Sequence, residues 1–226
     1  SDDSRPLSSP DKALLALDAD SGEELWRVET TALRLSAPCF CVDSVYFAAS
    51  DGQAYAVDAA TGEVRWRKPL PAWGPAAPAA EEGGTEPSSR DRHLAALYAR
   101  SGRPAWQFTI SEGASTWLPN SPTVVEDVCY VTSWNGHLYA VDATTGVEKW
   151  RFGTQRAILT APVTHGDAVI FGGQDHHLYV VNRHSGELLW KKDLVRRVYA
   201  TPVVVEGVVY ATSDSKHIYA FDVQSG

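Results

Sequence analysis

The chain has 226 residues, a hydrophobic fraction of 44% and a formal net charge of -8. That length is enough for one repeat domain with a buried core. The acidic balance excludes a general nucleic-acid binder, which would present a basic surface, and the prominence of Val, Tyr and Trp suits β structure.

Residues 1 to 11 are polar and carry Pro6 and Pro10. They read as a flexible lead-in to a domain spanning 12 to 226, not as a signal peptide. No apolar run approaches the ~20 residues needed to span a bilayer, so direct membrane insertion is not expected.

From Ala13 onward one pattern recurs. Its copies are Ala16, Asp18, Gly22 and Trp26; Ala56, Asp58, Gly62 and Trp66; and Ala96, Gly102 and Trp106, with Tyr98 in the place of the Asp. They continue as Ala140, Asp142, Gly146 and Trp150; Val180, Asn182, Gly186 and Trp190; and Ala220, Asp222 and Gly226. The six glycines are therefore 40, 40, 44, 40 and 40 residues apart. A fixed period of this size indicates a propeller, a solenoid or an array. Each copy reads as strand, tight turn and strand. The Asp bonds the turn backbone, the Gly supplies positive φ, and the Trp is an apolar plate whose N–H needs a partner.

A full unit is clearest over 159–190. It predicts strands at 163–164, 168–171, 178–181 and 188–190, a four-stranded meander of the kind that makes one propeller blade. A proline opens each unit at Pro38, Pro78, Pro122, Pro162 and Pro202, each after a small residue, as suits the start of a crowded strand near an axis. The second strand recurs as Val45-Tyr46, Cys129-Tyr130, Ile170-Phe171 and Val209-Tyr210. Residues 79–93 keep this spacing but lack alternation, which predicts a degenerate blade whose first two strands are lost or poorly held. The expected fold is an all-β propeller of four-stranded antiparallel blades, five or six in number. The chain starts at a third strand and stops just after one. The ring is thus expected either to close partially, with the N-terminal hairpin completing the last blade, or to be an arc of a larger ring.

The motif Ala-x-Asp-x-x-x-Gly-Glu-x-x-Trp, complete at Ala16–Trp26 and Ala56–Trp66, resembles the tryptophan-docking motif of PQQ-like β-propeller repeats. The resemblance runs from Ala13 to Gly226. It implies that Trp26, Trp66, Trp106, Trp150 and Trp190 pack between neighbouring blades. A WD-type propeller fits less well, because Gly136-His137 occurs but no Trp-Asp dipeptide does. The PQQ-like family contains quinoprotein dehydrogenases, envelope assembly factors of the BamB kind and sensor regions of bacterial Ser/Thr kinases. The dehydrogenases bring an adjacent Cys-Cys pair and often a Cys-x-x-Cys-His haem site. This chain has neither, so neither PQQ nor catalysis is expected. The resemblance implies a non-catalytic ligand-sensing or protein-interaction domain, the sensor region of a larger bacterial signalling protein such as a Ser/Thr kinase. The alternatives are a BamB-like envelope scaffold and a fragment of a PQQ-dependent dehydrogenase.

Several other constellations have site-like residue types. His93, His137, His177 and His217 fall at one place in four units, with Gln53 in another. Equivalent positions lie on a ring, whereas metal ligands must all lie ~2 Å from one ion, so no metal is expected. Asp18, Asp58, Asn182, Asp142 and Asp222 read as turn residues, not catalytic carboxylates. Asp18 to Glu23 departs from a calcium loop because its glycine comes one place early. No Gly-x-Ser-x-Gly elbow, phosphate-cradling glycine loop or His-Glu-x-x-His is present. Cys39, Cys41 and Cys129 are an odd count, and Cys39 and Cys41 point the same way on one strand and are poorly placed to bridge. Such thiols favour a reducing compartment, with the envelope as the alternative.

The informative irregularity lies where each unit crosses to the next. Five residues before the opening prolines stand Leu33, Trp73, Trp117, Ala157 and Arg197, with Arg34, Arg156 and Arg196 beside them. In a propeller these segments rim one mouth of the channel. Arg34, Trp73, Trp117, Arg156, Arg196 and Arg197 are therefore the candidate site for a protein partner or a small anionic or planar ligand.

Overall fold

A computed structural model describes residues 13–32, 35–36, 38–41, 43–70, 79–81, 84–86, 93–110, 118 and 120–226. Among them there are strands and turns but no α-helix. The chain begins with a hairpin, β1 (Ala13–Leu17) and β2 (Glu24–Glu29). Four four-stranded sheets follow. The first is β3 (Cys39–Cys41), β4 (Ser44–Ala49), β5 (Gln53–Asp58) and β6 (Val64–Pro69), and the second is β7 (Ala79–Glu81), β8 (Gly84–Glu86), β9 (His93–Leu97) and β10 (Pro104–Thr109). The third is β11 (Thr123–Val125), β12 (Val128–Thr132), β13 (His137–Asp142) and β14 (Glu148–Gly153), and the fourth is β15 (Val163–His165), β16 (Ala168–Gly172), β17 (His177–Asn182) and β18 (Leu188–Asp193). The last sheet holds β19 (Val203–Val205), β20 (Val208–Thr212) and β21 (Ile218–Asp222).

Every sheet is an antiparallel meander in chain order. The first strand of each unit starts directly after its opening proline, at residues 39, 79, 123, 163 and 203. These short inner strands stand side by side, β3 against β7, β7 against β11, β11 against β15 and β15 against β19. The third and fourth strands are joined through the Asp–Gly turn. Asp142 Oδ1 accepts from the backbone N–H of Thr144 at 3.1 Å and of Thr145 at 2.8 Å, and Asn182 does the same for His184 and Ser185 at 2.9 and 3.0 Å. A register shift follows in each of these hairpins, for example between Ala140 and Val141 and between Val180 and Val181.

The middle strands are buried on both faces, so each sheet is packed between two neighbours. Alternate residues serve different interfaces. In β17, Leu178 and Val180 face the following sheet, with Val209 and Ala211, while Tyr179 and Val181 face the preceding one, with Tyr130 and Leu138. Among the described residues, five apolar clusters fill the seams between consecutive units.

The predicted degenerate blade keeps all four strand places in reduced form. β7 and β8 have three residues each, and β8 meets β9 at Thr85 opposite Leu97, whereas β4 and β5 pair from Ser44–Asp58 to Ala49–Gln53. The hairpin β1–β2 and the sheet β19–β21 are separate sheets, so the N-terminal hairpin does not supply the fourth strand of the last unit. The predicted lead-in, 1 to 11, lies outside the described residues. Cys129 is buried, as a small strand residue should be, whereas Cys39 is only half-buried. No helix is long and apolar enough to cross a membrane among the described residues.

Candidate functional site

The repeated tryptophans occupy the seams. Each indole N–H donates to a backbone carbonyl of the next unit: Trp26 to Ala59 at 2.9 Å, Trp66 to Ala99 at 2.5 Å, Trp106 to Ala143 at 2.7 Å, Trp150 to Arg183 at 3.1 Å and Trp190 to Val223 at 2.8 Å. The plate lies against the glycine of that next unit. A Cβ added to Gly62 would come 2.8 Å from Trp26, and one added to Gly186 would come 2.6 Å from Trp150. The motif's glycine thus meets two demands at once, a left-handed turn and room for a ring. The Asp of the motif caps its own turn and the Trp binds a carbonyl of the next unit.

The variable chemistry lies at the crossovers. Of the predicted mouth residues, Arg34, Trp73 and Trp117 lie outside the described residues. Arg156, Arg196 and Arg197 are exposed. Arg196 and Arg197 line a cleft of about 610 Å³ between the fourth four-stranded sheet and the last sheet. Three segments wall it: His176 from the β16–β17 turn, Val195 to Arg197 from the β18–β19 crossover, and Asp214 to His217 from the β20–β21 turn. Arg156 sits on the preceding crossover, with its carbonyl against Gly136.

The walls are tied together by hydrogen bonds. Leu194 N–H donates to the His176 carbonyl at 2.8 Å and Asp214 N–H to the Arg197 carbonyl at 3.1 Å. Ser213 Oγ–H donates to the Leu194 carbonyl at 2.9 Å, and the Tyr219 hydroxyl reaches the same oxygen at 3.2 Å. Val198 is buried beneath the crossover and anchors it. Arg197 Nη1 donates to the Tyr199 hydroxyl at 3.1 Å, and that contact, with lesser help from the charge of Asp214, raises the guanidinium pKa further. The cleft brings together three basic side chains, Arg196, Arg197 and Lys216, and one acidic one, Asp214. On a chain of net charge -8 this is a local reversal of sign.

Sequence reasoning found Arg196 and Arg197 from their offset to Pro202, but missed His176, Val195 and Lys216. Aligning the four turns Asp51-Gly52-Gln53, Asn135-Gly136-His137, Asp175-His176-His177 and Ser215-Lys216-His217 would have exposed the substitution of glycine at this cleft. The aligned histidines bond locally: the His137 Nδ1 lies 3.3 Å from the Asn135 carbonyl and the His177 Nδ1 2.8 Å from the Asp175 carbonyl. Their equivalence reflects the turn. Cys39 and Cys41 are two residues apart on β3, not an adjacent pair.

A family model described as outer membrane protein assembly factor BamB matches residues 10–151 and 134–226. The BamB of Shewanella oneidensis is 28% identical over 149 residues, covering 61% of this chain and 38% of that protein. The serine/threonine-protein kinase AfsK of Streptomyces coelicolor is 33% identical over 212 residues, covering 71% of this chain and 26% of the kinase. The chain thus spans well under half the length of either sequence relative. The crystal structure of BamB from Moraxella catarrhalis superposes with a TM-score of 0.79 at 23% identity, over 96% of this chain and 69% of that one. The computationally designed protein Ika8 does so with a TM-score of 0.79 at 17% identity, over 96% and 67%. The seams, the docking tryptophans and the family match agree, and the chain belongs to the BamB-type family of PQQ-like β-propeller repeats.

Proposed function

We propose that this chain is a non-catalytic propeller module for protein interaction, whose partner docks on the crossover face around Arg196 and Arg197. One observation carries the reading. The repeated tryptophans and glycines hold sheet to sheet, while one crossover and the turns beside it gather positive charge around an open cleft. A wall of constant build with one chemically distinct mouth suits recognition, and pockets of this volume fall in the usual range for binding sites. The module works without PQQ.

Two larger settings are supported. The likeness to the AfsK kinase extends over 212 residues and favours a sensor region attached to a signalling enzyme. The family model and the Shewanella protein favour an assembly scaffold in the envelope. The test is cross-linking in the source cell of the wild-type protein and of the Arg196→Glu, Arg197→Glu variant. A partner captured by the wild type and lost from the variant supports the reading, and equal capture overturns it. Whether the captured species are kinase substrates or envelope proteins separates the two settings. Added PQQ and Ca²⁺ should produce neither bound quinone absorbance nor dehydrogenase activity.

A further inference from the structure

The turn between the second and third strands holds one residue in the left-handed region in each of four units. It is Gly52 (φ 79) and Gly136 (φ 82) in two of them, but His176 (φ 76) and Lys216 (φ 64) in the last two. A side chain with a Cβ is disfavoured there, so glycine is the low-energy choice. At Gly136 glycine is required, because a Cβ would sit 2.8 Å from the Arg156 carbonyl oxygen of the following crossover. One unit further on, the crossover starts with the same bond: Leu194 N–H reaches the His176 carbonyl as Thr154 N–H reaches that of Gly136. The two crossovers then part. Val195 is left-handed (φ 68), and Gln155 in the matching place is not among the left-handed residues.

Three left-handed residues other than glycine, His176, Val195 and Lys216, thus wall one cavity. A β-branched residue at such φ is a true outlier, and Val195 is 64% exposed, so core packing does not account for it. The conformation is held locally and from the neighbouring sheet: Val195 N–H donates to Asp193 Oδ1 at 2.7 Å, and Val198 N–H donates to the Gly173 carbonyl at 3.2 Å. Backbone strain over-determined by its surroundings clusters at binding sites.

We propose that the cleft is a docking site for an acidic protein segment, whose Asp or Glu carboxylates sit among Arg196, Arg197 and Lys216. This rests on the interaction reading above and adds the chemistry of the partner. Guanidinium forks match carboxylates in shape and charge. The cleft is open and larger than one oxyanion, as an extended segment with more than one carboxylate requires. The remaining surface is acidic overall and repels such a segment elsewhere, which confines binding to this mouth.

The test is fluorescence anisotropy with a labelled hexaglutamate peptide on the full chain, with hexalysine and inorganic phosphate as comparators. Hexaglutamate should bind saturably and hexalysine should not. Arg196→Glu combined with Lys216→Glu should weaken binding by roughly tenfold or more, the loss expected for two charge-assisted contacts. Lys216→Gly restores the residue found at positions 52 and 136. It should weaken hexaglutamate binding while leaving the melting temperature equal or higher, which separates recognition from folding. Equal affinity in all variants, or binding of phosphate without hexaglutamate, overturns the proposal. If hexaglutamate fails to bind but Arg196→Glu, Arg197→Glu still loses the cross-linked partner, the acidic chemistry falls and the interaction reading stands. If that variant cross-links normally, the interaction face itself falls.

Discussion

The Trp150 indole lies over Gly186 of the next sheet, so close that an added Cβ would meet its ring at 2.6 Å, and its N–H bonds the Arg183 carbonyl at 3.1 Å. Glycine and tryptophan, 36 residues apart, are two halves of one joint. Gly186→Ala should therefore cost more than the ~1–2 kcal/mol of a left-handed alanine alone. Gly22 provides the control, since it has φ 73 and nothing within 4 Å of an added Cβ. Gly22→Ala should show only the backbone cost. Urea denaturation of the two variants measures the difference, and Trp150→Ala combined with Gly186→Ala should be less destabilising than the sum of the singles.

Trp66 is the most buried of the docking indoles, 8% exposed. Trp66→Ala should cost about 3–5 kcal/mol, in the range for emptying a large aromatic site. Trp66→Phe should keep most of the plate and lose the bond to Ala99, about 1 kcal/mol. A Phe variant as unstable as the Ala variant would show that the bond, not the plate, dominates the seam.

Asp58 is held down to a pKa of about 2, first by the Arg65 guanidinium, which donates to it at 2.6 Å, and then by the backbone N–H of Thr61. A folded pKa below the unfolded value means that the contribution is complete above about pH 4 and is lost as pH falls toward 2. Asp58→Asn keeps the turn cap, as Asn182 does naturally, but loses the ion pair. The wild type should be more stable than this variant at pH 6, and the gap should close between pH 4 and 2 in thermal melts.

Tyr179 is buried and donates to Asp175 Oδ2 at 2.6 Å. Burial first, and then that carboxylate, push its phenol pKa above the ordinary 10.0. The associated stability is present below pH 10 and is lost at more alkaline pH, as the unfolded chain releases its proton first. Ultraviolet titration should show this tyrosine ionising after the exposed ones. Tyr179→Phe removes a donor from a buried carboxylate and should cost about 1.5–3 kcal/mol.

Much of the wall was legible because its parts have fixed residue types. Asp must cap, Gly must turn and make room, Trp must fill, and Pro opens the inner strand, so position and period named the elements together. β7 and β8 were harder to see. Ala-Ala-Glu and Gly-Thr-Glu carry no alternation, and they are strands because β3 and β11 flank β7. The mouth was half legible. Arg196 and Arg197 stand out by charge and offset, but the cleft depends on the φ of Val195, for which valine is the least suggestive of residues. His176 and Lys216 announce themselves only as glycines that are missing from a repeat.

Among the described residues each seam joins a unit to its immediate neighbour through one indole and one apolar cluster. Such a row behaves as coupled segments with nearest-neighbour terms. Amide exchange should accordingly be slowest in the tiers buried on both faces, around Tyr130, Phe171 and Tyr179. The cleft lies in the seam between β15–β18 and β19–β21, so an occupant bridging both sides would tie two segments together and slow exchange there before anywhere else.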